Sequence, residues 1–194
     1  MKIYLLIGLV SLLSVFLHDK NAPENDAINN DGAIEWTLNR PLAWSDFSAT
    51  PDFADRGTAL TSSSIHTSYY LKNNRLYFNI QSFFHPQESW VKTKNPSAQL
   101  LQHEQGHFDL TEAYARIMRK MLQESTFSYY FYDDEISIRY NQVFDELDSM
   151  QKQYDAATQH SVNREAQTQW QRTIANLLQE YATYDNADFS VALP

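Results

Sequence analysis

The sequence comprises 194 residues, 43% hydrophobic and 20% charged, enough for one hydrophobic core and consistent with a single domain. Its formal net charge of -9 excludes a general nucleic-acid binder, because phosphate contact needs a basic surface. With no cysteine there are no disulfides, thiolate metal sites, cysteine nucleophiles or cysteine lipidation, and the four glycines form no phosphate-cradling motif.

Lys2 precedes an apolar run from Ile3 to Leu17, interrupted only by Gly8, Ser11 and Ser14. At about 15 residues it is shorter than the roughly 20 of a spanning helix, and it matches the core of a secretory signal. Residues 1–20 are therefore expected to be a signal peptide or an uncleaved signal anchor. No small-x-small pair directly follows Leu17, and Lys2 directs the body out of the cytoplasm in either case. The protein is expected to be exported, periplasmic or secreted, and to touch a membrane only through this segment. Residues 21–32, rich in Asn, Asp and Glu, read as a flexible spacer, and 33–184 as one domain.

Residues 33–38 alternate like a half-buried strand, and Arg40 to Phe47 form a loop whose aromatics are packing anchors. Ile65, Thr67, Tyr69 and Leu71 share one face of a second strand; Leu76, Phe78, Ile80 and Phe84 share one face of a third. Asn73-Asn74 between them predicts a hairpin turn. A first helix is predicted from Ser97, as N-cap, to about Leu122. A second starts near Asp133, with Tyr140, Val143, Phe144, Leu147, Met150 and Tyr154 as its apolar stripe, and breaks at His160-Ser161. A third carries Ala166, Trp170, Ile174, Leu177 and Tyr181. The fold class is α+β: a small antiparallel or mixed twisted sheet from the N-terminal half, packed on long helices.

Within the first helix stands His103-Glu104-Gln105-Gly106-His107. Two histidines four apart lie about 40° from each other on one helix face, so their imidazoles can take adjacent corners of a zinc tetrahedron. Glu104 sits about 100° from His103, beside the metal, where its carboxylate can act as general base toward water. Without thiolates, a metal site here is built from His, Asp and Glu, which suits hydrolytic Zn2+. Such a site needs a third protein ligand and an open position. Asp109 and Glu112 point away from the histidine face by about 140° or more. The remaining ligands to choose from are His160, Asp155, His66 and His85. His160 ranks first, at the end of the second helix, with Asp155 as an alternative ligand or as an acceptor orienting an imidazole. His66 and His85 read as solvated, Trp36, Trp44, Trp90 and Trp170 as packing residues, and Arg116 and Arg119 as serving the helix C-terminus and surface pairing.

Several blocks in order carry a resemblance: Arg40-Pro-Leu-Ala-Trp-Ser-Asp-Phe47, Ala59-Leu-Thr61, Ser89-Trp-Val-Lys92, Leu100 to Asp109, Ala115-Arg116, Tyr154-Asp-Ala-Ala-Thr-Gln-His160, and Gln167 with Trp170. The chain resembles a bacterial family described as secreted zinc-dependent proteases, within the zincin superfamily. That resemblance implies zinc on His103, His107 and His160, with Ser161 standing where a glycine is expected. It also implies a twisted sheet on the metal-binding helix, with an edge strand for an extended peptide, for which Arg75 to Phe84 is the candidate. The expected activity is zinc-dependent hydrolysis of a peptide or protein substrate, with Glu104 as base and Tyr154 steadying the oxyanion. A zincin-like envelope scaffold without turnover, and a zinc hydrolase of a cell-wall amide, are the alternatives.

Overall fold

The computed structural model describes residues 32–55 and 57–194, so the expected export segment and nearly all of the spacer lie outside the described residues. Among the described residues no helix is long and apolar enough to cross a membrane. The architecture is α+β, with antiparallel sheets from the first half of the chain and three helices from the second.

Strands β3 (Ser63–Lys72) and β4 (Arg75–Phe84) form a long hairpin. Asn73 and Asn74 turn it with φ of 51° and 57°, the positive values that a two-residue hairpin loop requires and Asn tolerates. Ile65, Thr67, Tyr69 and Leu71 stand opposite Ser82, Ile80, Phe78 and Leu76, and together they make the inner face. The other edge of β4 is shared by β1 (Ile34–Glu35) at its Phe84 end and by β6 (Asp188–Ala192) at its Arg75 end. β4 is therefore the central strand, which corrects the expectation that it is an edge; among the described residues β3 lies at an edge. The displacing element is β6, whose Phe189 stacks on Phe78 at 5.0 Å, and it carries the folded part past residue 184. A second small sheet pairs β2 (Ala59–Leu60) with β5 (Trp90–Val91).

Helix α1 (Ala98–Gln123) starts as expected, with Ser97 Oγ accepting from the Leu100 amide at 3.1 Å. Helices α2 (Tyr132–Thr158) and α3 (Arg164–Glu180) follow. One side of α1 packs Tyr114, Ala115, Met118 and Leu122 on the inner sheet face. Nearer its start, Phe108 meets Phe84, Phe47 and Leu42, and on the opposite side Leu110 meets Tyr154 of α2 and Ile174 of α3. The first helix is thus surrounded, and its polar side chains must find partners inside the protein.

Its charged side chains do so in a network. Glu112 accepts from Arg116 Nε at 2.9 Å, from Arg119 Nη1 at 3.0 Å and from Ser82 Oγ. Arg119 also donates to the carbonyls of Ile80 and Tyr184, and Arg116 to that of Leu178. Both arginines, expected at the surface, are buried pins joining α1 to β4, to α3 and to the segment before β6. Removing one partner from such a group leaves buried charge without compensation. Glu112→Ala is expected to lower the unfolding free energy by about 3–5 kcal/mol in urea titration; an unchanged midpoint would refute the network's role.

Candidate metal centre

His103 and His107 project from successive turns of α1, and their Nε2 atoms stand 3.3 Å apart with the rings nearly perpendicular. Position 106 lets α2 come close enough to complete the group. The Tyr154 ring lies 4.7 Å from the His103 ring and 4.9 Å from the His107 ring. A Cβ on Gly106 would fall 2.4 Å from the Tyr154 hydroxyl oxygen and 2.9 Å from Cζ. The glycine is therefore a packing requirement between helices. Tyr154 is wholly buried; its hydroxyl donates to the His103 carbonyl at 3.2 Å and accepts from Gln167 Nε2 at 2.6 Å. With both directions engaged beneath the imidazoles, Tyr154 packs against the two rings and orients Gln167.

The next residue, Asp155, reaches the site. Its Oδ1 lies 3.1 Å from His103 Nε2 and 3.0 Å from His107 Nε2. These three residues form a cluster able to hold a metal ion. His160 Nδ1 is 3.2 Å from the same carboxylate oxygen, but its side chain is 65% exposed whereas that of His103 is 2% exposed. The cluster thus takes Asp155 as its third member, and His160, the residue expected to rank first, stands beside it at the rim. Helix α2 continues through Thr158, and then Gln159, His160 and Ser161 take φ of 52°, 51° and 74°. That left-handed run turns the chain toward α3 and swings His160 outward, and it accounts for the glycine expected at 161. Gln99 of α1 fastens the turn by donating to the Ser161 carbonyl.

Behind the imidazoles stand two glutamines. Gln167 Oε1 lies 3.1 Å from His103 Nδ1, and Gln151 Oε1 lies 2.5 Å from His107 Nδ1. An amide oxygen only accepts, so each neutral ring carries its proton on Nδ1 and turns the Nε2 lone pair inward. Two nitrogens and a carboxylate oxygen therefore converge at separations of 3.0–3.3 Å. Ligands 2.0–2.1 Å from a tetrahedral zinc stand about 3.3 Å apart, so the donor set and its spacing fit the ion. Glu104, buried at the side, accepts from Thr61 Oγ1 at 2.7 Å through Oε2.

Burial alone would lower the pKa of His107, but its hydrogen bond to Asp155 and the charges of Asp155 and Glu104 outweigh that and raise it to about 9. Burial likewise opposes ionisation of Asp155, yet its close contacts with His103, His107 and His160 hold its carboxyl far below the usual range. The hydrogen bond to Asp155 raises the pKa of His160.

Asp109 and Glu112 turn away, as helical geometry requires. Asp109 accepts from Trp36 Nε1 and Gln105 Nε2, both at 2.8 Å, and Gln105 Oε1 accepts from the Leu42 amide, so this face of α1 anchors residues 36–47. His66 and His85 lie on the outer sheet face, half-buried rather than solvated: His85 Nε2 meets Ser64 Oγ at 2.6 Å and His66 packs on Phe83. The sequence reading missed Gln151, Gln167, Thr61 and the reason for Gly106. Gln151 stands one helical turn before Asp155, and Thr61 and Gln167 fall inside the blocks that carry the resemblance.

A bacterial protein family of unknown function, DUF922, matches residues 19–161. The chain belongs to that family. The DUF922 match runs from the end of the apolar N-terminal segment to Ser161, so it contains His103, His107, Asp155 and His160 and excludes Gln167. Comparison with curated proteins and with solved structures finds no match.

Gly106→Ala is expected to cost about 1–3 kcal/mol through overpacking, despite alanine's better helix propensity; a gain in stability in urea titration would show that Tyr154 yields freely. A pH dependence also follows. A histidine raised above its unfolded value of about 6.5 contributes stability that is complete below that pH and lost as pH rises through about 9. The Asp155 contribution is present above 3.8 and lost toward acid. Protein stripped of divalent ions is expected to melt at lower temperature at about pH 10 than at about pH 7, with a smaller drop when zinc replaces the proton. Equal drops with and without zinc would count against the pairing.

Proposed function

We propose that this protein is an exported zinc-dependent hydrolase of peptide bonds. The observation that supports it best is the convergence of three electron-pair donors, two imidazoles and a carboxylate, whose ring protons are committed to the glutamines behind them. Buried lone pairs oppose one another unless a cation lies between them. His103, His107 and Asp155 would hold zinc, leaving an open position of the kind that hydrolytic sites keep. When bound, zinc supplies Lewis acidity that lowers the pKa of water toward about 7 and polarises a carbonyl.

Glu104 supplies the proton chemistry. Thr61 holds Oε2, so the carboxylate is fixed at the side of the histidine pair. It takes a proton from water as the water oxygen bonds to the amide carbon, and returns it to the nitrogen as the carbon–nitrogen bond breaks. The products are an amine and a carboxylic acid, which then releases its proton to become the carboxylate. The resemblance to secreted zinc proteases favours a peptide among amides, and a cell-wall amide uses the same groups. The apolar segment after Lys2 supports export.

His160 carries a second reading. Its Nδ1 stands one hydrogen bond from Asp155, and a small movement of the left-handed turn would offer a fourth ligand, as in a structural zinc site on a scaffold without turnover. Metal analysis and a fluorogenic peptide library separate the two. Wild type is expected to carry one zinc and cleave peptides; Glu104→Gln keeps the zinc and loses about 10²–10⁴-fold in rate. Asp155→Ala loses zinc and His160→Ala retains it. Wild-type protein without zinc defeats both readings, and zinc without cleavage of any peptide or cell-wall amide favours the scaffold.

A further inference from the structure

We propose that Gln151, Gln167 and Tyr154 are positioning residues that decide which nitrogen of each histidine is free to bind metal, by passing on the direction of two backbone carbonyls of α1. The proposal rests on reading His103, His107 and Asp155 as a metal site.

A backbone carbonyl can only accept a hydrogen bond, so it fixes the sense of every bond that follows from it. The His103 carbonyl accepts from the Tyr154 hydroxyl at 3.2 Å. Having given its proton there, the Tyr154 oxygen accepts from Gln167 Nε2 at 2.6 Å. The amide is thereby oriented, its oxygen faces His103 Nδ1 at 3.1 Å, and that nitrogen must donate. The circuit begins and ends on one residue: the backbone of His103 sets the tautomer of its own ring through α2 and α3. His107 has a shorter version. Gln151 Nε2 donates to the His107 carbonyl at 2.9 Å, and its oxygen faces His107 Nδ1. In either circuit a flipped amide would set an oxygen lone pair against an oxygen lone pair in a buried place. Gly106 makes the longer circuit possible, because only without a Cβ there does the Tyr154 hydroxyl come close enough to the helix to bond its backbone.

The two circuits are separable, which makes the proposal testable. Zinc affinity of the full chain is measured by chelator competition, and the coordinating nitrogen of each imidazole is read from long-range nitrogen-15 spectra. In wild type both rings are expected to bind zinc through Nε2 and to keep Nδ1–H. Gln167→Met should weaken zinc about ten- to a hundred-fold and disturb the His103 signals alone, and Gln151→Met should do the same for His107. Tyr154→Phe, which keeps the ring and its packing, should weaken zinc less and again disturb only His103. A merely structural role would lower the melting temperature without ring-selective changes. Three folded variants with wild-type affinity and unchanged rings would overturn the proposal. If wild type binds no zinc, the metal reading fails. The circuits are then decided by spectra of the metal-free protein in alkaline solution, where both rings are neutral and Nδ1–H in wild type and mixed tautomers in the variants are expected.

Discussion

Helix α2 delivers a carboxylate to the two imidazoles because α1 has no side chain at position 106. Any atom there would occupy the space of the Tyr154 hydroxyl, and the two helices would have to separate. Separation by even an ångström would break the bonds from Asp155 and Gln151 to the histidines together, since both are carried on the same rigid helix. The Tyr154 ring packs on Trp170 at 5.4 Å, so α3 and its Gln167 are held by the same approach. A missing methyl group thus sets the geometry of the centre, and hydrogen bonds refine it.

Helix α1 carries two polar systems along its length, and they solve the problem of buried charge differently. Toward its C-terminal end Glu112 is balanced by two arginines and the network is complete within the protein. Toward its N-terminal end the balance is different: Glu104 and Asp155 face imidazoles whose lone pairs point inward. There a proton or a metal ion must supply the positive charge, which is why His107 holds its proton so strongly in the protein alone. The first system fixes α1 between sheet and helices; the second has room for a cation.

Much of this was legible in the sequence because it rests on local periodicity. The long hairpin, the Asn73-Asn74 turn, the Ser97 cap and the three helices follow from alternation, turn chemistry and helical stripes. The pairing of His103 with His107, and the outward direction of Asp109 and Glu112, follow from a rotation of about 100° per residue. What failed depends on distant contacts. The role of β4 was misjudged because its second edge is covered by Asp188–Ala192, more than a hundred residues away, although Phe189 and Val191 alternate visibly. Arg116 and Arg119 were placed at the surface because no sequence pattern shows how fully the sheet and the later segments wrap α1. The cluster contains Asp155 with His160 at its rim because the left-handed turn after α2, which no sequence pattern signals, carries His160 outward.

The donors of the centre lie far apart along the chain: two on α1, one on α2 about fifty residues later, and a supporting glutamine on α3. Helix α1 by itself offers two histidines, a weak claim on a metal ion. An unfolded chain therefore does not assemble the centre, which forms only when α2 docks on α1. The same docking of helices that closes the core therefore also creates the cluster able to hold a metal ion.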